Sequence, residues 1–376
     1  MKCSGKRISI WLTICLVICI SLSMAACGQR ETVNFTDVPE QYVKTLEYHD
    51  DFVIAQLTDI HWNTSTNIGN SEYGSRSYLL KVAEEIRNEF GHIDLIEVTG
   101  DTFCLANKKS VKTFIDTMEE IGVPYAIIWG NHDRQCKFNP NWLSRQFLNA
   151  PCSLYCEVDN DNLHERGNYV VELMQGKDVA WQIFNIDSGS SYREGAKDIG
   201  LVYDYIRQDQ IDWIDFMHSR AGADVPALAY YHIPQKEFDE GYEAVSSGAE
   251  GYKSEFYFLE PVSSSPHAVS MNSVFVRNNV VGAFVGHDHA TDWTFTNPDG
   301  IVYGFGVKTN RELYSADVNS ETLKEYDEIN DSVTDASFDL MGASVVKLLN
   351  NTGDFELYHL YLSDDENTTN ATWEKY

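Results

Sequence analysis

Apolar runs that close on polar, metal-competent residues recur along this chain. Residues 52–57 are almost wholly apolar and end at Thr58-Asp59. A short run without alternation reads as a strand covered on both faces. Residues 78–90 instead carry Leu79, Leu80, Val82, Ala83 and Ile86 at helical spacing, which predicts an amphipathic helix. The rhythm then repeats. A strand over 93–98 leads into Gly100-Asp101, a helix covers 111–121, and a strand over 125–129 leads into Gly130-Asn131. Further on, a strand over 179–186 ends at Asp187, a helix covers 209–219, a strand over 227–231 ends at His232, and a strand over 280–285 ends at Gly286-His287. Strands alternating with helices predict an α/β fold with a largely parallel, covered sheet. After residue 290 the pattern changes: 293–296, 301–306, 344–349 and 355–362 read as antiparallel strands, the last two joined by a turn at 350–354.

Composition narrows the function classes. The chain has 376 residues and 43% apolar content, enough for a large globular domain, placed at residues 51–376. A formal net charge of -29 repels nucleic acid at long range, so no nucleic-acid partner is expected. A phosphorylated substrate remains compatible with that charge, because bound cations reverse the local potential.

The N-terminal segment carries a separate signal. Lys2, Lys6 and Arg7 precede a mostly apolar stretch over 8–24, giving residues 1–26 the form of a secretory signal. Met24-Ala25-Ala26 directly before Cys27 resembles the lipobox of bacterial lipoproteins. That resemblance implies a lipidated Cys27 and an extracytoplasmic protein held to the bacterial cell membrane only through its lipid. Residues 27–50 read as a polar tether, and an acidic, polar insertion at about 312–340 reads as a surface excursion. Beyond Cys27 the chain has Cys104, Cys136, Cys152 and Cys156. No two of these form a CxxC pair, which argues against a zinc ribbon, while a bridge between Cys152 and Cys156 stays open.

The candidate chemistry lies in five blocks: Asp59-Ile60-His61, Gly100-Asp101, Gly130-Asn131-His132-Asp133, Tyr231-His232 and Gly286-His287-Asp288-His289. Each follows a predicted strand. Strand C-termini in an open α/β sheet gather along one edge, where ligands bind, so residues remote in sequence can share a cavity there. Carboxylates suit hard cations, and imidazoles suit zinc, iron or manganese. A carboxylate can also bridge two ions about 3.5–4 Å apart. Asp101, central in chain order, is the candidate bridge. The glycines at 100, 130 and 286 suit tight turns beside a ligand. His49, His92, His164, His218, His267 and His359 stand outside these blocks and read as surface or packing residues. Tyr203, Tyr205 and Trp213 read as core, and Arg76, Arg193 and Lys308 as surface.

With these motifs, DxH, GD, GNHD, a lone His after a strand and GHxH, the chain resembles the calcineurin-like metallophosphoesterases over about residues 52–310. The phrases Asp209-Gln210-Ile211-Asp212-Trp213-Ile214 and Gly286-His287-Asp288-His289, with Asp292 after, resemble the purple-acid-phosphatase-like branch. The resemblance implies a four-layer αββα sandwich of two mixed β-sheets flanked by helices, the C-terminal strands completing the second sheet. It implies two metal ions, of iron, zinc or manganese: one on Asp59, His61 and His289, the other on Asn131, His232 and His287, with Asp101 between them. His132 would serve the leaving group, and Asp133 would orient His132 or balance its charge. The implied activity is hydrolysis of phosphomonoesters, on small-molecule or exported substrates, by a metal-bound hydroxide. A phosphodiesterase and a non-catalytic metal- or ligand-binding surface lipoprotein are the alternatives. Purple acid phosphatases carry a tyrosine ligand three residues after the bridging Asp; here that position is Cys104, so no tyrosinate colour is expected.

Overall fold

The computed structural model describes residues 39–62, 75–136, 138–157, 163–191, 202–255, 260–310, 341–365 and 368–376. Cys27, the 1–26 segment and the acidic insertion lie outside them. Among the described residues, no helix is long and apolar enough to cross a membrane.

Two mixed sheets face one another. The first contains β2 (Phe52–Leu57), β3 (Leu95–Thr99), β4 (Tyr125–Ile128), β12 (Gly342–Leu348), β13 (Phe355–Asp365) and β14 (Thr368–Lys375), in the order β14-β13-β12-β2-β3-β4. The second contains β1 (Val43–Glu47), β5 (Tyr169–Gln175), β6 (Asp178–Asn185), β7 (Ala227–Tyr230), β8 (Lys253–Glu255), β9 (Val280–Val285), β10 (Thr294–Thr296) and β11 (Val302–Phe305), in the order β1-β5-β6-β7-β9-β11-β10-β8. The parallel runs are β2-β3-β4 in one sheet and β6-β7-β9-β11 in the other. Every residue of β2, β3, β4 and β7 is buried, as strands covered on both faces must be. The sheets are also stitched by polar groups. Tyr169 OH both accepts from Ile127 N (2.7 Å) and donates to Ile127 O (3.0 Å), and Gln56 Nε2 donates to Val285 O (3.0 Å).

The helices are α1 (Ser75–Phe90), α2 (Lys108–Ile121), α3 (Pro140–Leu148), α4 (Gln208–Ala221), α5 (Lys236–Ser246) and α6 (Asn272–Arg277). Local chemistry sets the ends of α2. Asn107 Oδ1 caps Lys109 N (2.8 Å) and Ser110 N (3.1 Å), and Gly122 ends the helix at φ 70°. That cap starts the helix three residues before the apolar stripe that announced it. The α3 helix has no counterpart among the expected elements, although Asn139 caps it and Pro140 occupies its first turn.

Two expectations are corrected here. Val43–Glu47, assigned to a polar tether, is a strand pairing parallel with β5. Its half-exposed residues are those of a sheet edge, and buried Tyr42 and Tyr48 bracket it. The C-terminal strands also divide differently. β10 and β11 extend the sheet of β7 and β9, whereas β12 pairs antiparallel with β2 and brings β13 and β14 into the first sheet. Apolar alternation specifies which face of a strand is covered, not which neighbour it pairs with.

Trp213, on α4, is fully buried and meets Phe184 and Tyr42 edge-on at 5.9 and 6.0 Å. Trp213→Ala should cost about 3–5 kcal/mol of stability, read as a lower urea midpoint at unchanged slope. An unmoved midpoint would contradict that packing role.

Candidate metal centre

The five blocks leave strands of both sheets. Asp59 and His61 follow β2, Asp101 follows β3, and Asn131 follows β4; His232 follows β7, while His287 and His289 follow β9. The site therefore lies where the C-terminal edges of two facing sheets meet, not along one open sheet. Main-chain bonds hold the loops together. His61 N donates to Asp101 O (2.9 Å), Trp62 N to Thr102 O (2.7 Å) and Gly286 N to His232 O (3.2 Å).

Space at the edge is short. A Cβ on Gly130 would lie 2.2 Å from both the nitrogen and Oδ1 of Asp101, and one on Gly286 would lie 2.0 Å from Thr58 Oγ1. Gly100 carries φ 90°, and its missing side chain leaves room for the His232 ring. Four of the polar residues themselves take left-handed backbone: Asp59 (φ 52°), His61 (46°), Asp101 (46°) and His287 (80°). Such conformations cost of order 1–3 kcal/mol each and persist where surrounding structure imposes them, commonly at functional sites.

The donor atoms form two groups that share one residue. Ligand atoms of Asp59, His61, Asp101 and His289 lie within 4.8 Å of one another, and so do those of Asp101, His232 and His287. Asn131 joins the second group, its Oδ1 3.1 Å from His232 Nε2. Asp101 Oδ1 accepts His132 N at 2.7 Å, so Oδ2 is the oxygen left over. That oxygen sits 3.6 Å from His61 Nε2 and 3.3 Å from His232 Nε2, one in each group. All seven residues expected as ligands are thus brought together.

The orphaned atoms test whether cations fit. Asp101 Oδ2 and both ring nitrogens of His61 and of His287 are buried without a hydrogen-bond partner. Buried polar atoms ordinarily find partners, and these cluster with lone pairs converging. Second contacts orient the set. His232 Nδ1 lies 2.9 Å from Thr99 O, which puts its proton there and aims Nε2 at the centre. Asp59 Oδ2 accepts from His287 N (2.9 Å) and Thr58 Oγ1 (2.7 Å), leaving Oδ1 toward His289 Nε2 at 3.1 Å. Mixed carboxylate, amide and imidazole donors suit zinc, iron or manganese.

Without cations the cluster shares protons instead. Burial opposes charge on every member. It pushes His287 down to about 3, helped by His232, and lowers His61. At His232 burial is outweighed by Asp101, and the imidazolium is held up to about 10. At Asp101 the same pairing outweighs burial and keeps the carboxyl well below its ordinary range. At Asp59 burial is outweighed by the hydrogen bond from His289, and the carboxyl falls to about 2.

His132 is the accessible member, its side chain 31% exposed, with Nε2 3.9 Å from Asp101 Oδ2. Its Nδ1 lies 2.9 Å from Gln135 Oε1. The expected role of Asp133 needs correction. Its oxygens accept Phe103 N and Gly130 N, each at 2.7 Å, so it ties the β3 and β4 loops together instead of orienting His132. Burial, then Asp101, pushes that carboxyl up to about 8. Gln135, three residues on in a 3-10 turn, is the ring's partner, and the motifs gave no sign of it. Cys104 Sγ lies 3.8 Å from His132 Nδ1, and burial raises its thiol. Tyr203, read as core, is half-buried and stands edge-on to His287 at 4.3 Å. Lys308, read as surface, is buried. Asp292 accepts a hydrogen bond from Tyr361 OH.

A cavity of about 200 Å³ lies beside this turn, bounded by Trp129, Asp133, Arg134, Phe138 and Tyr155. Arg134 there is ion-paired with Glu165 and Asp187.

Residues 52–291 match the model of the calcineurin-like phosphoesterase family. Two proteins of Arabidopsis thaliana are similar in sequence. One, named "Probable inactive purple acid phosphatase 28", is 26% identical over 67% of this chain and 69% of its own length. Another, "Probable inactive purple acid phosphatase 29", is 26% identical over 73% and 74%. Among solved structures, a dimetal phosphatase from Danio rerio superposes with a TM-score of 0.51 and 12% identity, covering 82% of this chain and 95% of that one. At that identity the likeness concerns the fold.

Asp101→Ala should bind at least one metal equivalent fewer than wild type, measured by elemental analysis after dialysis against a metal-buffered solution. Metal content equal to that of wild type would reject Asp101 as the shared ligand.

Proposed function

The chain belongs to the calcineurin-like phosphoesterase family, and from that premise we propose that it hydrolyses phosphomonoesters with a pair of bound cations. The observation that carries the reading is the convergence of buried, unpartnered donor atoms on Asp101 Oδ2 from two separate groups. Asp59, His61 and His289 would hold one cation; Asn131, His232 and His287 the other; Asp101 both. Bound there, such cations supply Lewis acidity to phosphoryl oxygens and acidify water toward neutral pH.

The protein's own residues do the remaining work. The buried walls exclude bulk water, which strengthens every charge interaction inside. His132 stands at the open rim. Gln135 Oε1 holds the proton of Nδ1, so a second proton on the ring resides at Nε2, the atom facing the centre. From there the imidazolium can protonate a departing alkoxide, a role commonly contributing about 10²–10⁴-fold. Ligands hold metal without needing such a residue, so His132 favours turnover over storage. The names of the relatives, which include "inactive", favour the second reading, a binder without turnover. A diesterase on the same donors is the remaining alternative. The basic and apolar N-terminal segment before Cys27 supports export and lipid attachment outside a bacterial cell membrane.

The test uses p-nitrophenyl phosphate and its bis-p-nitrophenyl diester, with manganese, zinc or iron restored after chelation. Faster turnover of the monoester is expected, and His132→Ala should lose about 10²–10⁴-fold in rate at unchanged metal content. Preferential diester cleavage would reassign the substrate class. Absence of turnover with all three metals would favour the binder.

A further inference from the structure

The sequence sets His49 and His92 apart as surface or packing residues, but the fold brings them together with Asp94. His49 lies in the turn before β2, and His92 and Asp94 in the loop between α1 and β3. Both loops sit at the N-terminal ends of parallel strands, the end opposite the centre described above. Six residues of β2 separate the two, roughly 20 Å at ordinary strand rise.

The three side chains place their ligand atoms within 4.8 Å of one another. His49 Nε2 is 3.1 Å from Asp94 Oδ1, and His92 Nε2 is 3.1 Å from Asp94 Oδ2. The backbone oxygen of Asp51 lies 3.2 Å from the same His92 nitrogen. Asp94 is rigid: its Oδ2 accepts Val53 N (2.8 Å) and its N donates to Val53 O (2.9 Å). The imidazoles remain open, with side-chain exposures of 49% and 40%.

Proton counting shows what this arrangement lacks. His49 Nδ1 lies 2.8 Å from Asp50 O. A carbonyl only accepts, so that nitrogen carries the hydrogen. In neutral His49 the other nitrogen is then a bare lone pair facing a carboxylate oxygen, so a proton or a metal cation must occupy the gap. Without a metal, the hydrogen bond to Asp50 O and the Asp94 carboxylate raise the imidazole so that the proton fills it. His92 Nε2 faces two acceptors with at most one hydrogen. The same device, a backbone carbonyl fixing one ring nitrogen so that the other points inward, orients His232 through Thr99 O. The spacing also matches: His289 Nε2 and Asp59 Oδ1 are 3.1 Å apart in the central cluster.

We propose that His49, His92 and Asp94, with the Asp51 carbonyl, form a separate surface site for a divalent transition-metal cation. Two imidazoles with oxygen donors suit zinc, nickel or copper. A cation there takes the place of the proton shared between His49 and Asp94, and clips the turn before β2 to the loop before β3. The site is independent of the hydrolytic reading, since it touches none of the residues assigned to the centre.

The test is equilibrium dialysis of metal-stripped protein against buffered Zn²⁺, comparing wild type with His49→Ala/His92→Ala. Asp94 is left in place because it anchors Val53. Wild type should bind one equivalent more than the double variant. In an Asp101→Ala background the same one-equivalent difference should persist, which separates this site from the central one. Zn²⁺ at about 100 times its Kd should raise the melting temperature of the Asp101→Ala protein by several degrees, and by less once both histidines are removed. Equal zinc content with and without the histidines overturns the site, leaving a hydrogen-bonded His-Asp-His network only. Loss of hydrolysis in the double variant at saturating metal also overturns it, because the pair would then support the central ions instead.

Discussion

One oxygen atom organises the functional edge of this molecule. Asp101 Oδ2 is buried, accepts no hydrogen bond, and has an imidazole nitrogen from each of two donor groups within 3.3–3.6 Å. Its partner oxygen accepts from His132 N at 2.7 Å, which orients the carboxylate. An unpaired buried carboxylate costs several kcal/mol unless charge or protons compensate. The nearby His232 imidazole, 3.3 Å away, is the neighbour that most holds the Asp101 carboxyl below its ordinary range, against burial.

The fold is arranged around keeping this deficit in place. Gly100, Gly130 and Gly286 carry no side chains because His232, Asp101 and Thr58 occupy the volume. Four polar residues accept left-handed backbone so that their side chains converge. The fully covered strands β2, β3, β4 and β7 provide the rigidity that holds such strain. Asp133 contributes as a fastener, joining the β3 and β4 loops through Phe103 N and Gly130 N. Stability and site geometry therefore draw on the same contacts at this edge.

The legible part of this structure is the part written in local pattern. Phe52–Leu57 and Val280–Val285 end where their apolar runs end, and the donor blocks follow at once. Convergence of the seven candidate ligands was readable because strand ends share an edge. Pairing partners were not: β12 joins β2 across nearly the whole domain, and nothing in its own residues names that neighbour. Val43–Glu47 looked like a tether because edge strands keep polar residues. The Gln135 contact with His132, and the approach of His49 to His92 and Asp94, depend on loop geometry that residue types alone do not encode. Asp133 shows the opposite case, in which a motif position was visible but its bonding was not.

Anomalous diffraction from crystals loaded with manganese or zinc and soaked with phosphate tests the central claim most directly. Two peaks about 3.5–4 Å apart should flank Asp101 Oδ2, one among Asp59, His61 and His289, the other among Asn131, His232 and His287. A single peak, or two peaks with Asp101 touching neither, would contradict the shared-oxygen centre and the hydrolytic reading built on it.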